Sequence, residues 1–99
     1  YEDEEFDLVV AIEVLEHVPD SEAGMRELLR VLKPGGRGIF ALPVDLPGGM
    51  HLRDFPKVAD VLAFYKQFDI SIVRFECEEF MTGRRPFIDT FVLVRKPGQ

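Results

Sequence analysis

Two short apolar runs separated by an amphipathic segment constrain the fold of this chain more than any other feature. The first run, Phe6–Ile12, is almost continuously apolar, which is typical of a strand covered on both faces in a parallel sheet. The second run, residues 38–44, follows a segment of helix length. The sequence therefore predicts a strand–helix–strand unit with parallel strands and a right-handed crossover.

Helix signals mark both ends of the segment between the runs. Asp20 or Ser21 fits the N-cap position, and an apolar face follows at the i, i+3, i+4, i+7 spacing. That face consists of Met25, Leu28, Leu29 and Leu32. The base, proline and two glycines at residues 33–36 then predict the end of the helix, because the proline cannot continue it.

The remainder of the chain completes one α/β domain. We predict a second helix over residues 56–68, a third strand over 70–77, a loop over 78–86 and a fourth strand over 87–96. No crossover helix separates the last two strands, so they should pair in antiparallel fashion. The predicted spatial order is first, second, fourth, third, with the last strand antiparallel to its neighbours.

Composition limits the classes of partner. With 18 acidic against 12 basic residues the net charge is −6, which argues against nonspecific binding to nucleic acid or to anionic membranes. The single Cys77 excludes an internal disulfide and is compatible with a reducing compartment. There is no membrane-spanning apolar run and no signal peptide. The start at Tyr1, without Met, indicates a piece of a longer protein.

Three polar residues follow the first predicted strand, at the edge where open α/β sheets place their ligands. Glu13, Glu16 and His17 stand at i, i+3, i+4, so one helical turn would bring them to one side. Carboxylates and an imidazole could bind a divalent cation or act as acid–base groups. The alternative is a hydrogen-bonded turn in which Glu16 caps backbone donors and His17 packs as a neutral ring.

Two later polar groups have a functional and an ordinary interpretation. His51, with Arg53 and Asp54, follows the second strand and could join the acidic group or hold a substrate; otherwise it belongs to an ordinary loop. Arg84 and Arg85 could contact an anion, and a solvated loop tip is the alternative.

The motifs together resemble the class I S-adenosylmethionine-dependent methyltransferases, most closely the small-molecule and ubiquinone-type O-methyltransferases. The matching motifs are Phe6-Asp7, Leu15-Glu16-His17-Val18 and residues 30–36 (RVLKPGG). Residues 51–55 (HLRDF) resemble the segment before a late helix of that family. The resemblance covers nearly the whole chain.

The resemblance implies a Rossmann-like fold of which this chain is the carboxyl-terminal half, with a mixed sheet of family strands 4-5-7-6 and two crossover helices. It implies that the domain at 1–99 lacks the glycine-rich cofactor loop, which lies upstream in that family. Gln67 stands where the family usually has glycine, so the second helix should end without a left-handed cap.

Site residues carry over only where the motif matches. By resemblance, Ala11, Ile12 and Glu13 bind the cofactor, S-adenosylmethionine, and His17 is the catalytic residue near the reacting methyl group. The E-x-x-E-H pattern resembles a divalent metal site in two branches of the family. That implies Mg²⁺ or another divalent cation held by these residues: Glu13, Glu16, His17 and His51.

The implied activity is methyl transfer to an oxygen, nitrogen or carbon nucleophile of a small molecule, in a longer cytoplasmic enzyme. We expect the isolated chain to be inactive, because it lacks the partners for the cofactor's amino acid and ribose, and to self-associate through its open first strand. The alternative is a methyltransferase-like module without catalysis that serves in interaction or assembly. The methyl acceptor stays open.

Overall fold

A computed structural model describes residues 1–44, 55–83 and 85–98. It contains four strands, two α-helices and one short 3₁₀ turn. In chain order these are β1 (Phe6–Ile12), the turn (Leu15–His17), α1 (Ser21–Arg30), β2 (Leu32–Val44), α2 (Val58–Lys66), β3 (Ser71–Thr82) and β4 (Arg85–Arg95).

The four strands form one sheet in the order β1-β2-β4-β3. β1 is parallel to β2, and β4 is antiparallel to both of its neighbours, which confirms the predicted topology. The core lies between one face of this sheet and the two helices. Its members come from all of these layers: Met25, Phe40, Leu42, Val61, Phe64, Tyr65, Val92 and Val94.

α1 begins where the sequence predicts and ends earlier. Asp20 is the N-cap, and its carboxylate accepts the backbone N–H of Ala23 at 3.0 Å. The helix stops at Arg30, whereas residues 33–36 belong to β2. These residues join the sheet because Gly35 N donates to Lys96 O at 3.0 Å and Lys96 N donates to Gly36 O at 2.9 Å. The predicted start of the second strand at residue 38 is therefore wrong.

The hairpin of β3 and β4 is longer than predicted, and the expected loop over residues 78–86 is mostly strand. The extra length is paired, since Phe80 lies opposite Phe87 with ring centroids 5.7 Å apart. Gly83 adopts a φ of 60° between the two strands, a conformation that glycine reaches without strain.

α2 is shorter than the predicted 56–68, and its apolar face is as expected. Lys57 is the N-cap, and the Asp60 carboxylate accepts the Lys57 backbone N–H at 3.0 Å. Val61, Phe64 and Tyr65 are buried. Gln67 ends the helix in the right-handed region, which agrees with the expected absence of a left-handed cap.

β1 is not covered on both faces, contrary to prediction. Ala11 is buried against the core, whereas Leu8, Val10 and Ile12 are 51%, 55% and 45% exposed. Successive side chains of a strand point to opposite faces, and both helices pack on the Ala11 side. A row of large apolar side chains is therefore left open to solvent.

Among the residues that the structure describes, no helix is long and apolar enough to cross a membrane.

Candidate functional site

The candidate site lies at the sheet edge formed by the carboxyl ends of β1 and β2. Because β4 is antiparallel, its amino-terminal part reaches the same edge. Glu13 follows β1 directly, and its backbone N donates to Ala41 O on β2 at 3.1 Å. Glu13 has a φ of 56°, which is uncommon for a residue with a side chain, and leads into the turn Leu15–His17.

Three carboxyl groups meet at this edge. The Glu13 side chain lies close enough to Asp89 and Glu16 to interact with both, and these two residues are 7% and 1% exposed. Burial, followed by the nearness of the Asp89 and Glu16 carboxyl groups as hydrogen-bond partners and as charges, raises the pKa of Glu13 to about 10. Glu13 is therefore protonated at neutral pH and can donate to one of its two neighbours.

Two oxygens within the cluster and one hydroxyl beside it lack a hydrogen-bond partner among the described residues. Both Glu16 oxygens and the Tyr65 hydroxyl are buried without a fixed hydrogen bond in the part of the chain described. A protonated Glu13 supplies a donor that Glu16 can share with Asp89. Burial, and then the charges of Glu16, Asp89 and Glu13, raise the pKa of Tyr65, so its phenol keeps its proton.

Asp89 is held in place by its own strand. Its Oδ1 accepts the backbone N–H of Thr90 at 3.0 Å, and Thr90 Oγ1 donates to Leu42 O on β2 at 2.8 Å. The carboxylate from β4 is thereby fixed against the residue that follows β1, although β2 lies between the two strands. These two bonds fix the geometry of the cluster.

The predicted site residues are only partly brought together. Glu13 and Glu16 meet as expected, but Glu16 does not cap backbone donors, so that alternative is wrong. His17 is exposed whereas Glu16 is buried, so the turn directs their side chains differently. Ala11 is buried at the end of β1, and Ile12 presents an apolar surface next to Glu13.

Several predicted residues lie outside the described residues: His51, Arg53, Asp54 and Arg84. Within the described ranges, no group of three or more His, Cys, Asp or Glu side chains has the arrangement of a metal centre. Arg85 is the first residue of β4 rather than a loop residue.

Sequence reasoning missed Asp89 and Tyr65. Asp89 is the one charged residue in the segment 87–94, and an acid buried in a strand needs a partner. Tyr65 lies on the apolar face of α2, where its hydroxyl also needs a partner. The sequence therefore indicated that each residue needs a hydrogen-bond partner, but it did not identify that partner.

A cavity of about 460 Å³ lies at the opposite edge of the sheet. It is lined by charged residues and by apolar ones: Glu4, Arg26, Leu29, Arg30, Pro34, Phe68, Asp69, Lys96 and Pro97. Arg30 is already engaged in ion pairs with Asp3 and Glu27. The cavity contains none of the clustered carboxyl groups, so its size alone does not make it the functional site.

The fold is shared with the solved structures of a putative methyltransferase and of a cyclase. A putative methyltransferase from Bacillus halodurans matches with a TM-score of 0.78 and 15% identity over 98% of this chain and 67% of its own. The [4+2]-cyclase SpnF matches with a TM-score of 0.77 and 17% identity over 100% of this chain and 52% of its own. The architecture is therefore the Rossmann-like methyltransferase fold, as predicted.

Sequence similarity identifies the family within that fold. Residues 1–40 match the family described as "Methyltransferase domain". A ubiquinone biosynthesis O-methyltransferase of Xanthomonas oryzae is 36% identical over 86 residues, covering 68% of this chain and 36% of that protein. The methyltransferase GfsG of Streptomyces halstedii is 54% identical over 37 residues, covering 37% of this chain and 13% of that protein. The chain belongs to the class I S-adenosylmethionine-dependent methyltransferases, and it spans about a third of the length of the ubiquinone-type relative.

Proposed function

We propose that this chain is the carboxyl-terminal half of a cytoplasmic S-adenosylmethionine-dependent enzyme that methylates a small molecule. The observation that carries the proposal is the match of residues 1–40 to a methyltransferase domain, which includes the edge where Glu13 and Glu16 lie. The ubiquinone-type relatives are named as O-methyltransferases, which favours a hydroxyl group as the acceptor. A nitrogen or carbon nucleophile is the alternative acceptor, which the methyl-transfer assay described below would identify.

The residues at the end of β1 suit a ligand with both apolar and polar parts. Ile12 and Val14 are 45% and 44% exposed there, and Glu13 lies between them with a carboxyl group. In the proposed enzyme Ala11, Ile12 and Glu13 bind S-adenosylmethionine, whose sulfonium supplies the methyl group. The chain's contribution is to position the reactants and exclude water, since a thioether leaves without acid catalysis.

We assign His17 as the catalytic residue that accepts the acceptor's proton. Its side chain is exposed at the turn that follows β1, where a substrate can reach it. A general base needs such access to the proton that it removes, and an imidazole is the side chain that most often takes this role. Replacement of His17 by Ala should lower kcat more than it raises KM.

The same edge could hold a divalent cation such as Mg²⁺ in the intact enzyme. The two unpartnered Glu16 oxygens are an observation that fits such an ion, because hard cations bind carboxylate oxygens. With an ion bound, Glu13, Glu16, His17 and His51 would be its ligands, so Glu13 would lose its proton and His17 would hold the ion instead of accepting the acceptor's proton. An ion would polarise the acceptor hydroxyl, so the addition of a chelator and the substitution Glu16→Ala should each lower activity. Activity that neither change affects would exclude this role.

The test of the proposed function uses the intact protein and this chain side by side. Calorimetry with S-adenosylmethionine should give micromolar binding to the intact protein and none to the 99 residues alone. Methyl transfer from labelled cofactor to a panel of phenols, amines and activated carbon acids would identify the nucleophile. Intact protein that binds no cofactor would refute the proposal.

A second candidate function is assembly without catalysis, and the open face of β1 is the observation that favours it. Leu8, Val10 and Ile12 offer apolar side chains on a strand whose outer edge is unpaired within the described sheet. We propose that the isolated chain self-associates through this strand. Light scattering should show oligomers that Val10→Lys disperses, and a clean monomer at high concentration would count against it.

A further inference from the structure

The cavity at the sheet edge opposite the candidate site has no role in the proposed function. Its volume of about 460 Å³ lies within the range of small-molecule pockets, about 300–1,000 Å³. Leu29 on α1, Phe68 after α2, Pro34 in β2 and Pro97 after β4 give it apolar walls. These walls suit the apolar part of a small ligand.

Charged side chains of both signs line the same cavity. Apart from Arg30, they are two acids and two bases: Glu4, Asp69, Arg26 and Lys96. Among the residues that the structure describes, none of these four forms an ion pair with another. The cavity therefore presents positive and negative charge that a ligand can satisfy.

The positive charges of the cavity belong to Arg26 and Lys96. Lys96 is partly buried, and its ammonium donates to Leu29 O at 2.8 Å and to Leu32 O at 2.7 Å. An ammonium group has three N–H donors, so one donor and the positive charge remain for a ligand. Arg26 is exposed and, unlike Arg30, is not paired with an acid in the described part of the chain. A carboxylate is the group that both bases can bind.

The negative charges belong to Glu4 and Asp69. Glu4 is held beside the carboxyl end of α1, because its backbone N donates to Arg30 O at 2.9 Å. The carboxyl end of a helix carries partial negative charge, which favours a cation. Asp69 is exposed and directly follows Phe68, so an acid adjoins one of the apolar walls. An ammonium group is the ligand group that these two acids attract.

We propose that this cavity is a second ligand site, which binds a free α-amino acid with an apolar side chain. The two bases bind its carboxylate, the two acids bind its ammonium, and its side chain packs against Leu29 and Phe68. A ligand with a single charge would leave one pair of residues unsatisfied and be repelled by that pair. The inference goes beyond the proposed function and does not depend on it, because the cavity lies away from the edge at Glu13.

The test is calorimetry on the intact protein with three probes of similar size. These are L-phenylalanine, 2-phenylethylamine, which lacks the carboxylate, and 3-phenylpropionate, which lacks the ammonium. Phenylalanine should bind, and each analogue should bind about 10-fold more weakly or worse, because each loses charged hydrogen bonds. Equal affinity for the three probes would indicate an apolar cavity without charge selection. That result, or no binding of phenylalanine, would overturn the inference.

Two variants assign the charged groups of the ligand to residues. Arg26→Gln should weaken phenylalanine and phenylpropionate about 2- to 10-fold and leave phenylethylamine unchanged. Asp69→Asn should weaken phenylalanine and phenylethylamine and leave phenylpropionate unchanged. Arg37→Gln is the matched control, since Arg37 is also exposed and does not line the cavity. Equal losses in Arg26→Gln and Arg37→Gln would overturn the inference.

Amide chemical shifts and competition locate the site on the intact protein. Phenylalanine should shift residues 26–30, 68–69 and 96–97, which line or adjoin the cavity. S-adenosylhomocysteine also has an amino acid end, but it should not displace phenylalanine, because the cofactor is proposed to bind at the carboxyl edge. Displacement, or shifts confined to residues 11–17, would overturn the second site. Phenylalanine binding in the cavity of an intact protein that binds no cofactor would refute the proposed function and leave this site in place.

Discussion

The free energy of unfolding should fall as pH rises from about 6 to 9, because of Glu13. The pKa of this carboxyl is about 10 in the folded chain and 4.5 in the reference state. Between these values the folded state keeps a proton that the unfolded state has lost, so the unfolded state binds fewer protons and stability decreases with pH.

The magnitude follows from one proton. A full one-proton difference changes the free energy of unfolding by about 1.4 kcal/mol per pH unit. Glu13 is only partly buried, so solvent screening reduces the effect on the free energy of unfolding. Its proton also interacts with Asp89 and Glu16, so the titration belongs to the three carboxyl groups together. We expect a loss of about 1–3 kcal/mol between pH 6 and 9 after that reduction.

Urea unfolding followed by circular dichroism at a series of pH values measures this loss. Glu13→Gln should flatten the dependence, because the amide keeps a donor for Asp89 and does not titrate. Glu27→Gln is the control: its hydrogen bond to Arg30 lowers the pKa of Glu27, so it titrates below this range and the slope should persist. A flat wild-type profile, or an unchanged slope in Glu13→Gln, would refute the reasoning.

Three structural predictions can be checked by thermal unfolding. Asp20→Ala removes the N-cap of α1 and should cost about 1 kcal/mol; an unchanged midpoint would contradict the capping role. Gly38→Ala places a new Cβ 2.6 Å from Phe40 Cζ and should cost about 1–3 kcal/mol, whereas Gly98→Ala meets no atom within 4 Å and should be neutral. Lys96→Met removes two hydrogen bonds to backbone carbonyls at the end of α1 and the start of β2, and should cost about 1–3 kcal/mol. Equal stability of Lys96→Met and the wild type would show that water replaces those bonds.

The sequence predicted correctly those boundaries of strands and helices that short-range residue patterns determine. β1 matches its predicted bounds, and the Asp20 cap gave the start of α1. The end of α1 and both hairpin strands were misjudged because their bounds depend on remote pairing. Residues 33–36 look like a helix stop, yet they pair with the end of β4, some 60 residues later in the chain.

The candidate site likewise was predicted where its residues are close in the chain and not where they are remote. The spacing of Glu13 and Glu16 predicted that these two would meet, since they are only three residues apart in the chain. Asp89 could be placed beside them only from the sheet order, because β4 returns antiparallel to β2 and brings its amino-terminal part to this edge. The exposure of His17 next to the buried Glu16 depends on the 3₁₀ form of the turn, which the spacing does not specify.

The most direct test of the account is the position of the cofactor on the chain. Ultraviolet irradiation of the intact protein with methyl-labelled S-adenosylmethionine, followed by peptide mass spectrometry, would map the contact, with competition by S-adenosylhomocysteine as the control. We predict that the label lies within residues 11–17, at the carboxyl edge of β1, and that S-adenosylhomocysteine prevents this labelling. A label at the opposite edge, beside Arg26 and Lys96 in the 460 Å³ cavity, would contradict it.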